Sequence, residues 1–170
     1  MNMINHHIMA TLQTEPHTSP SDLAQQLEVS ELLIYQHLPP EQVHWLPSAL
    51  AQKLLEALPE WGNLMTIVQL AGNVFEFKGP FPKGKLGHGY FNLYSKHDGM
   101  YGHLLLSSFA AIALVSRPLR GRASHAICFF AASGDVIFKI YLGRDQAGEI
   151  FPEQVHNFNQ LKQLTADCSI

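Results

Sequence analysis

The residues best suited to hold a metal-bearing ligand lie in one segment, residues 88–107, which reads HGYFNLYSKHDGMYGHLLLS. Within it, Asp98-Gly99 is a turn signal. Asp-Gly favours a two-residue type I′ hairpin, whose central positions both need positive φ. Such a turn sets His97 against Met100, Tyr94 against His103, Asn92 against Leu105 and Tyr90 against Ser107. Side chains alternate along a strand. Phe91, Leu93, Leu104 and Leu106 therefore share an apolar face, and Tyr90, Asn92, Tyr94, Tyr101, His103 and Leu105 share the other.

That second face combines aromatic surface with an imidazole and several phenols. Imidazole and phenolate are both axial donors to haem iron. His103 is the candidate iron-facing residue, and Tyr90, Tyr94 and Tyr101 are candidate contacts to the macrocycle. His88 in GHGY is a weaker candidate beside the same surface. Haem propionates call for basic partners. Lys83 and Lys85 precede the hairpin and Arg117, Arg120 and Arg122 follow the next strand. Arginine matches carboxylate geometry best, which makes Arg117 a candidate. The same spacing also fits an ordinary cross-strand aromatic pair beside a solvated basic loop.

The elements that must position this segment fall into three parts. Residues 1–60 read as helical. Ser19-Pro20-Ser21-Asp22 gives a capping serine, a proline at the first helical position and an acid three residues after the cap. Leu23, Ala24 and Leu27 continue as an apolar stripe; Ser30 starts a second helix through Leu33, Ile34 and Leu38, which Pro39-Pro40 stops. A further helix fits 48–58. The part from 61 to 170 reads as a sheet with a closing helix at 152–165. Its strands are LMTIVQL, VFEF, YFNLYS, YGHLLLS, AAIALVS, AICFFAA and VIFKIYL. Short connections leave no room for βαβ crossovers, so the expectation is one compact α+β domain around a large antiparallel sheet.

Composition bounds the function. Hydrophobic residues make up 46% and charged residues 15% of the 170, as in a folded protein. A formal charge of −3 gives no general attraction to nucleic acid or anionic membrane. Ten histidines are many beside 11 Lys+Arg. Cys128 lies in the apolar run AICFFAA and reads as a small buried hydrophobe; Cys168 stands near the end. No CxxC or CxxCH occurs, which argues against covalent haem attachment and a zinc finger. MNMINHHIMATLQTEP has no signal-peptide pattern, and no run approaches the ~18 apolar residues of a membrane span, so a cytoplasmic location is expected.

Taken together, WGN (61–63), HGYFNL (88–93), KHDGMYGH (96–103) and KIYLGRD (139–145) resemble the ChuX/HutX family of bacterial haem-utilisation proteins. The resemblance runs from about residue 10 to 162. It implies a cytoplasmic carrier that binds haem b non-covalently and passes it to a haem-receiving protein or enzyme. It also implies the HemS/ChuS-like fold and, because one chain resembles half of those two-repeat proteins, a homodimer. The GM-x-GH histidine of the family falls on His103. A second haem-binding histidine of some members falls on Gln69, which is no ordinary iron ligand. Phe77 stands where an equivalent tyrosine ligand is expected in other members.

Two other functions compete. A haem-degrading enzyme needs an electron donor, and no flavin or GxGxxG fingerprint is present. Nor does a nucleophile elbow or triad order appear. A DNA-binding regulator is suggested by the helix-turn-helix-like pattern SPSDLAQQLEVSELLIYQHLP. The would-be recognition helix SELLIYQHL carries no Lys or Arg for phosphate contacts, which favours a packing pair of helices.

Overall fold

The computed structural model describes residues 3–95 and 99–164. Three short helices lead the chain: α1 (Met3–Thr14), α2 (Pro20–Gln26) and α3 (Glu31–Gln36). Strand β1 (Val43–Leu46) follows, then a 3₁₀ turn leading into α4 (Ala51–Ala57) and a second 3₁₀ turn at Leu58–Trp61. Next come β2 (Asn63–Leu70), β3 (Asn73–Pro80), β4 (Lys83–Gly87), β5 (Tyr90–Tyr94) and β6 (Gly102–Leu104). Strands β7 (Phe109–Ser116), β8 (His125–Ala131) and β9 (Val136–Leu142) and helix α5 (Pro152–Leu161) complete it.

The α+β expectation holds, with one correction to the sheet. The strands form two antiparallel sheets, a six-stranded one ordered β1-β7-β8-β9-β2-β3 and a three-stranded one ordered β4-β5-β6. The His103 hairpin belongs to the smaller. The region expected to be wholly helical also contains β1, which pairs with β7 through Val43–Val115 to Leu46–Ile112. A run as short as VHWL has no periodicity to announce it; its partner strand supplies the ladder.

Alternation along the central strands builds two cores. On one face Ile112, Leu114, Ile127, Phe129 and Ile140 meet α4, α5 and the small sheet. On the other, Ala113, Val115, Ala126, Cys128 and Phe130 meet α1, α2 and α3. Cys128 is fully buried, and burial pushes its thiol up to about 11, so it is chemically quiet.

The helical part is too short to be stable alone. Its caps are as expected: Ser19 accepts from the Asp22 N–H at 3.1 Å, and Ser30 from the Leu33 N–H at 3.3 Å. Burial of Leu23, Ile34 and Tyr35 then fastens α2 and α3 to the sheet. Two buried cations complete the attachment. Arg117, 9% exposed, donates to Gln42 Oε1 at 2.9 Å, to Pro16 O at 2.7 Å and to Thr18 O at 3.3 Å. Lys139, 4% exposed, pairs with Glu31 at the start of α3 and donates to Ser21 Oγ at 2.9 Å. The helix compared above to a recognition helix thus spends its acid on the sheet and turns Ile34 and Tyr35 inward.

Removing one partner of a buried ion pair strands the other, at a cost of about 3–5 kcal/mol. Glu31→Leu is therefore expected to lower unfolding free energy by that amount in urea titration. The double variant Glu31→Leu/Lys139→Met should recover most of the loss.

Candidate functional site

The three-stranded sheet positions the candidate residues by burying their neighbours. Phe91 and Leu93 of β5 are 0% and 6% exposed and join the core under the larger sheet. The alternate residues Tyr90 and Tyr94 are 40% and 45% exposed. Gly84 makes room for this arrangement, since a Cβ there would overlap the Phe91 ring.

The faces are as expected, but the register is not. His103 lies opposite Asn92, Phe91 opposite Leu104 and Leu93 opposite Gly102. The expected partner of His103 was Tyr94, so the pairing is offset by two residues. An even offset leaves every side chain on its own face. Strand β5 ends at Tyr94 and β6 begins at Gly102, at the two sides of the β5–β6 connection. Tyr101 Oη donates to Ser95 O at 2.9 Å across its base, and Met100 packs against the core. Of the expected turn, Lys96, His97 and Asp98 lie outside the described residues, and with them the His97–Met100 pair. The expected Tyr90–Ser107 pair does not form, because Leu106–Ser108 is a 3₁₀ turn beyond the end of β6.

A two-residue turn with positive φ at both central positions does exist, but at His88 (φ 52°) and Gly89 (φ 82°), where Gly87 pairs with Tyr90. The signal was the glycine at the second central position. His88 is exposed at this hairpin tip. Strand β4, missed in the sequence, adds a third column to the site: Lys85 pairs with Asn92 and Lys83 with Tyr94. Lys85, Asn92 and His103 therefore form one row across the exposed face.

Around His103 the contacts are close. Its Nδ1 lies 2.6 Å from Asn92 Oδ1, and its ring meets that of Tyr90 edge-on, with centroids 6.1 Å apart and planes at 72°. Tyr101 stands further along the same strand edge, 61% exposed. Tyr94 also lines a cavity of about 960 Å³ with Phe77, Lys78, Phe81, Lys83 and Met100. Ligand pockets commonly span about 300–1,000 Å³, so a macrocycle is within its range. Among the described residues, no three His, Cys, Asp or Glu side chains converge on one point, at His103 or elsewhere.

Arg117 is not part of this face. Its guanidinium is engaged by the carbonyls of Pro16 and Thr18, and desolvation by burial lowers its pKa. It lines a separate cavity of about 450 Å³ between the helical part and the sheet, with Ser21, Gln69, Lys139 and Tyr141. Gln69 Oε1 accepts from Ser21 Oγ there at 3.1 Å. Arg117 and Gln69 thus line a cavity different from that of Tyr94. Charge and spacing in the sequence put Arg117 among the propionate candidates; the long-range contact that uses it was not readable there.

The chain matches the haem utilisation ChuX/HutX family over residues 45–161. It is also 44% identical, over 163 residues, to the intracellular heme transport protein HutX of Vibrio cholerae, covering 96% of this chain and 84% of that one. The chain belongs to the haem utilisation ChuX/HutX family. The crystal structure of the heme binding protein ChuX superposes with a TM-score of 0.81 at 34% identity, covering 91% of this chain and 96% of that one. The heme degrading enzyme ChuS of Escherichia coli O157:H7 shares the fold at 18% identity, with a TM-score of 0.73 over 89% of this chain and 47% of ChuS. The family match begins at Trp45 in β1, after α1, α2 and α3. It takes in both sheets and the whole of the His103 face.

The Gly84 contact provides a check on this geometry. Overpacking a filled core costs about 1–3 kcal/mol. Gly84→Ala is expected to destabilise the protein by that amount in thermal or urea unfolding, with the largest amide shifts in β4 and β5 by NMR.

Proposed function

We propose that this protein binds haem b non-covalently in the cytoplasm and hands it to a receiving protein or enzyme. The observation that carries the reading is the exposed imidazole of His103, set among Tyr90, Tyr94, Lys83 and Lys85 on one face. Support from the relatives is direct in chemistry: HutX transports heme and ChuX binds it. His103 would give iron one nitrogen donor. The tyrosine rings offer flat contact area to the macrocycle. Lys83 and Lys85 offer ammonium groups to the propionates, which makes β4 the source of the charge expected earlier from Arg117. One protein donor suits a carrier, since a second strong bond to iron slows release.

No helix of the described residues is long and apolar enough to cross a membrane. The competing enzyme reading has a direct test. Haem-loaded protein supplied with ascorbate or a reductase is expected to give no sustained bilin formation that survives added catalase. The homodimer is part of the same proposal. The chain matches 47% of the ChuS chain, and edge strand β3 leaves Val74 and Phe75 53% and 51% exposed. Sedimentation at micromolar concentration is expected to give twice the chain mass of 19.0 kDa.

The central experiment is a titration with ferric haem followed by absorbance. His103→Ala is expected to shift the Soret band and speed haem loss, while Tyr90→Phe and Tyr94→Phe keep the band in place. An unmoved band in His103→Ala beside a moved one in Tyr94→Phe would transfer the iron to phenolate.

A further inference from the structure

Three carbonyl groups fix the orientation of one amide beside His103. Asn92 Nδ2 donates to Gly87 O at 2.9 Å, to Tyr90 O at 3.2 Å and to Lys85 O at 3.3 Å. Carbonyl oxygens only accept, so the amide atom that faces them must be the NH₂. The usual ambiguity between amide oxygen and nitrogen is thereby removed. The Asn92 oxygen is left on the other side, 2.6 Å from His103 Nδ1.

That oxygen has lone pairs and no hydrogen. The hydrogen in this contact must therefore come from the imidazole, and Nδ1 carries it. A neutral imidazole has one N–H and one lone pair. With the hydrogen on Nδ1, the lone pair lies on Nε2, the nitrogen that Asn92 does not contact. The Tyr90 ring meets the imidazole edge-on, with centroids 6.1 Å apart.

We infer that Asn92 is a positioning residue: it holds His103 in the Nδ1–H form and so keeps the Nε2 lone pair available to iron. This rests on the haem reading above. Metal-binding histidines commonly donate their other N–H to a carboxylate, a backbone carbonyl or water. Here a neutral side-chain amide takes that role. It polarises the ring less than a carboxylate would, which leaves the iron bond of moderate strength and suited to exchange. The anchoring carbonyls come from β4 and β5, on either side of the turn between them. The position of one proton on β6 is thus set by the β4–β5 hairpin. Gly87 is part of this fit, because a Cβ there would stand 3.2 Å from Asn92 Nδ2.

The test is imidazole nitrogen NMR on the ligand-free protein at about pH 8.5, above the ordinary imidazole range. Wild type should show a protonated Nδ1 and a lone-pair Nε2 for His103. A dominant Nε2–H form in wild type overturns the inference without any variant. Asn92→Leu removes the acceptor and should let the Nε2–H form appear. Asn92→Asp keeps an acceptor and should retain the Nδ1–H form. Haem loss to apomyoglobin should rise about 10–100-fold in Asn92→Leu, the usual effect of removing such a partner. In Asn92→Asp, which keeps the acceptor for Nδ1 but loses the donations to the three carbonyls, the rise should be clearly smaller than in Asn92→Leu. Leu and Asp variants that match in both tautomer and haem loss would assign Asn92 a purely structural role and overturn the inference. The two readings fail separately. A wrong tautomer leaves the Soret shift of His103→Ala intact; an unmoved Soret band in His103→Ala sinks iron ligation while the tautomer stands.

Discussion

Phe91 and Leu93 are held in the core beneath the larger sheet, and the rest of the site follows from their burial. Each such side chain contributes about 1.5–3 kcal/mol when fully removed from water. A strand cannot bury one face without presenting the other, so Tyr90, Asn92 and Tyr94 are directed outward by the same contacts. The missing side chain at Gly84 lets the Phe91 ring seat. The adjacent strands then complete the outward face, with Lys83 and Lys85 on one side and His103 on the other.

A second constraint operates on the opposite side of the six-stranded sheet. Short helices gain little from their own hydrogen bonds and depend on tertiary contacts. Here they are tied down by apolar burial and by two cations withdrawn from water, Arg117 and Lys139. Lys139 has the carboxylate of Glu31 as its partner, whereas Arg117 is met by an amide oxygen and two backbone carbonyls. Buried charges need such partners to offset desolvation. This explains why the arginine that suited a propionate on sequence grounds is occupied elsewhere.

On the proposed reading, the two constraints serve different ends. The His103 face is open and built on a small sheet whose inner side is rigidly packed. That gives a donor fixed in direction yet reachable by a second protein, as transfer requires. The cavity that Tyr94 lines lies between that sheet and the exposed edge strand β3, so apolar surface stands beside Tyr94 and Lys83 without being enclosed.

By itself the sequence determined the class of the fold, the two helix caps, the burial of Cys128 and the division of the hairpin into a buried apolar face and an outward one. These are local properties: cap chemistry and side-chain alternation act over a few residues and survive a register offset of two. The resemblance carried by WGN, HGYFNL, KHDGMYGH and KIYLGRD identified the family for a related reason, since it rests on residue order alone. Tertiary structure decided what depends on pairing across distance. It chose Asn92 rather than Tyr94 as the partner of His103, because the pairing of the strands, Phe91 with Leu104 and Leu93 with Gly102, set the register. It made strands of 43–46 and 83–87, which carry too few residues to show a period before a neighbour supplies their ladder. It also placed Arg117 away from the His103 face, because carbonyls of Pro16 and Thr18, about a hundred residues earlier in sequence, take its donors.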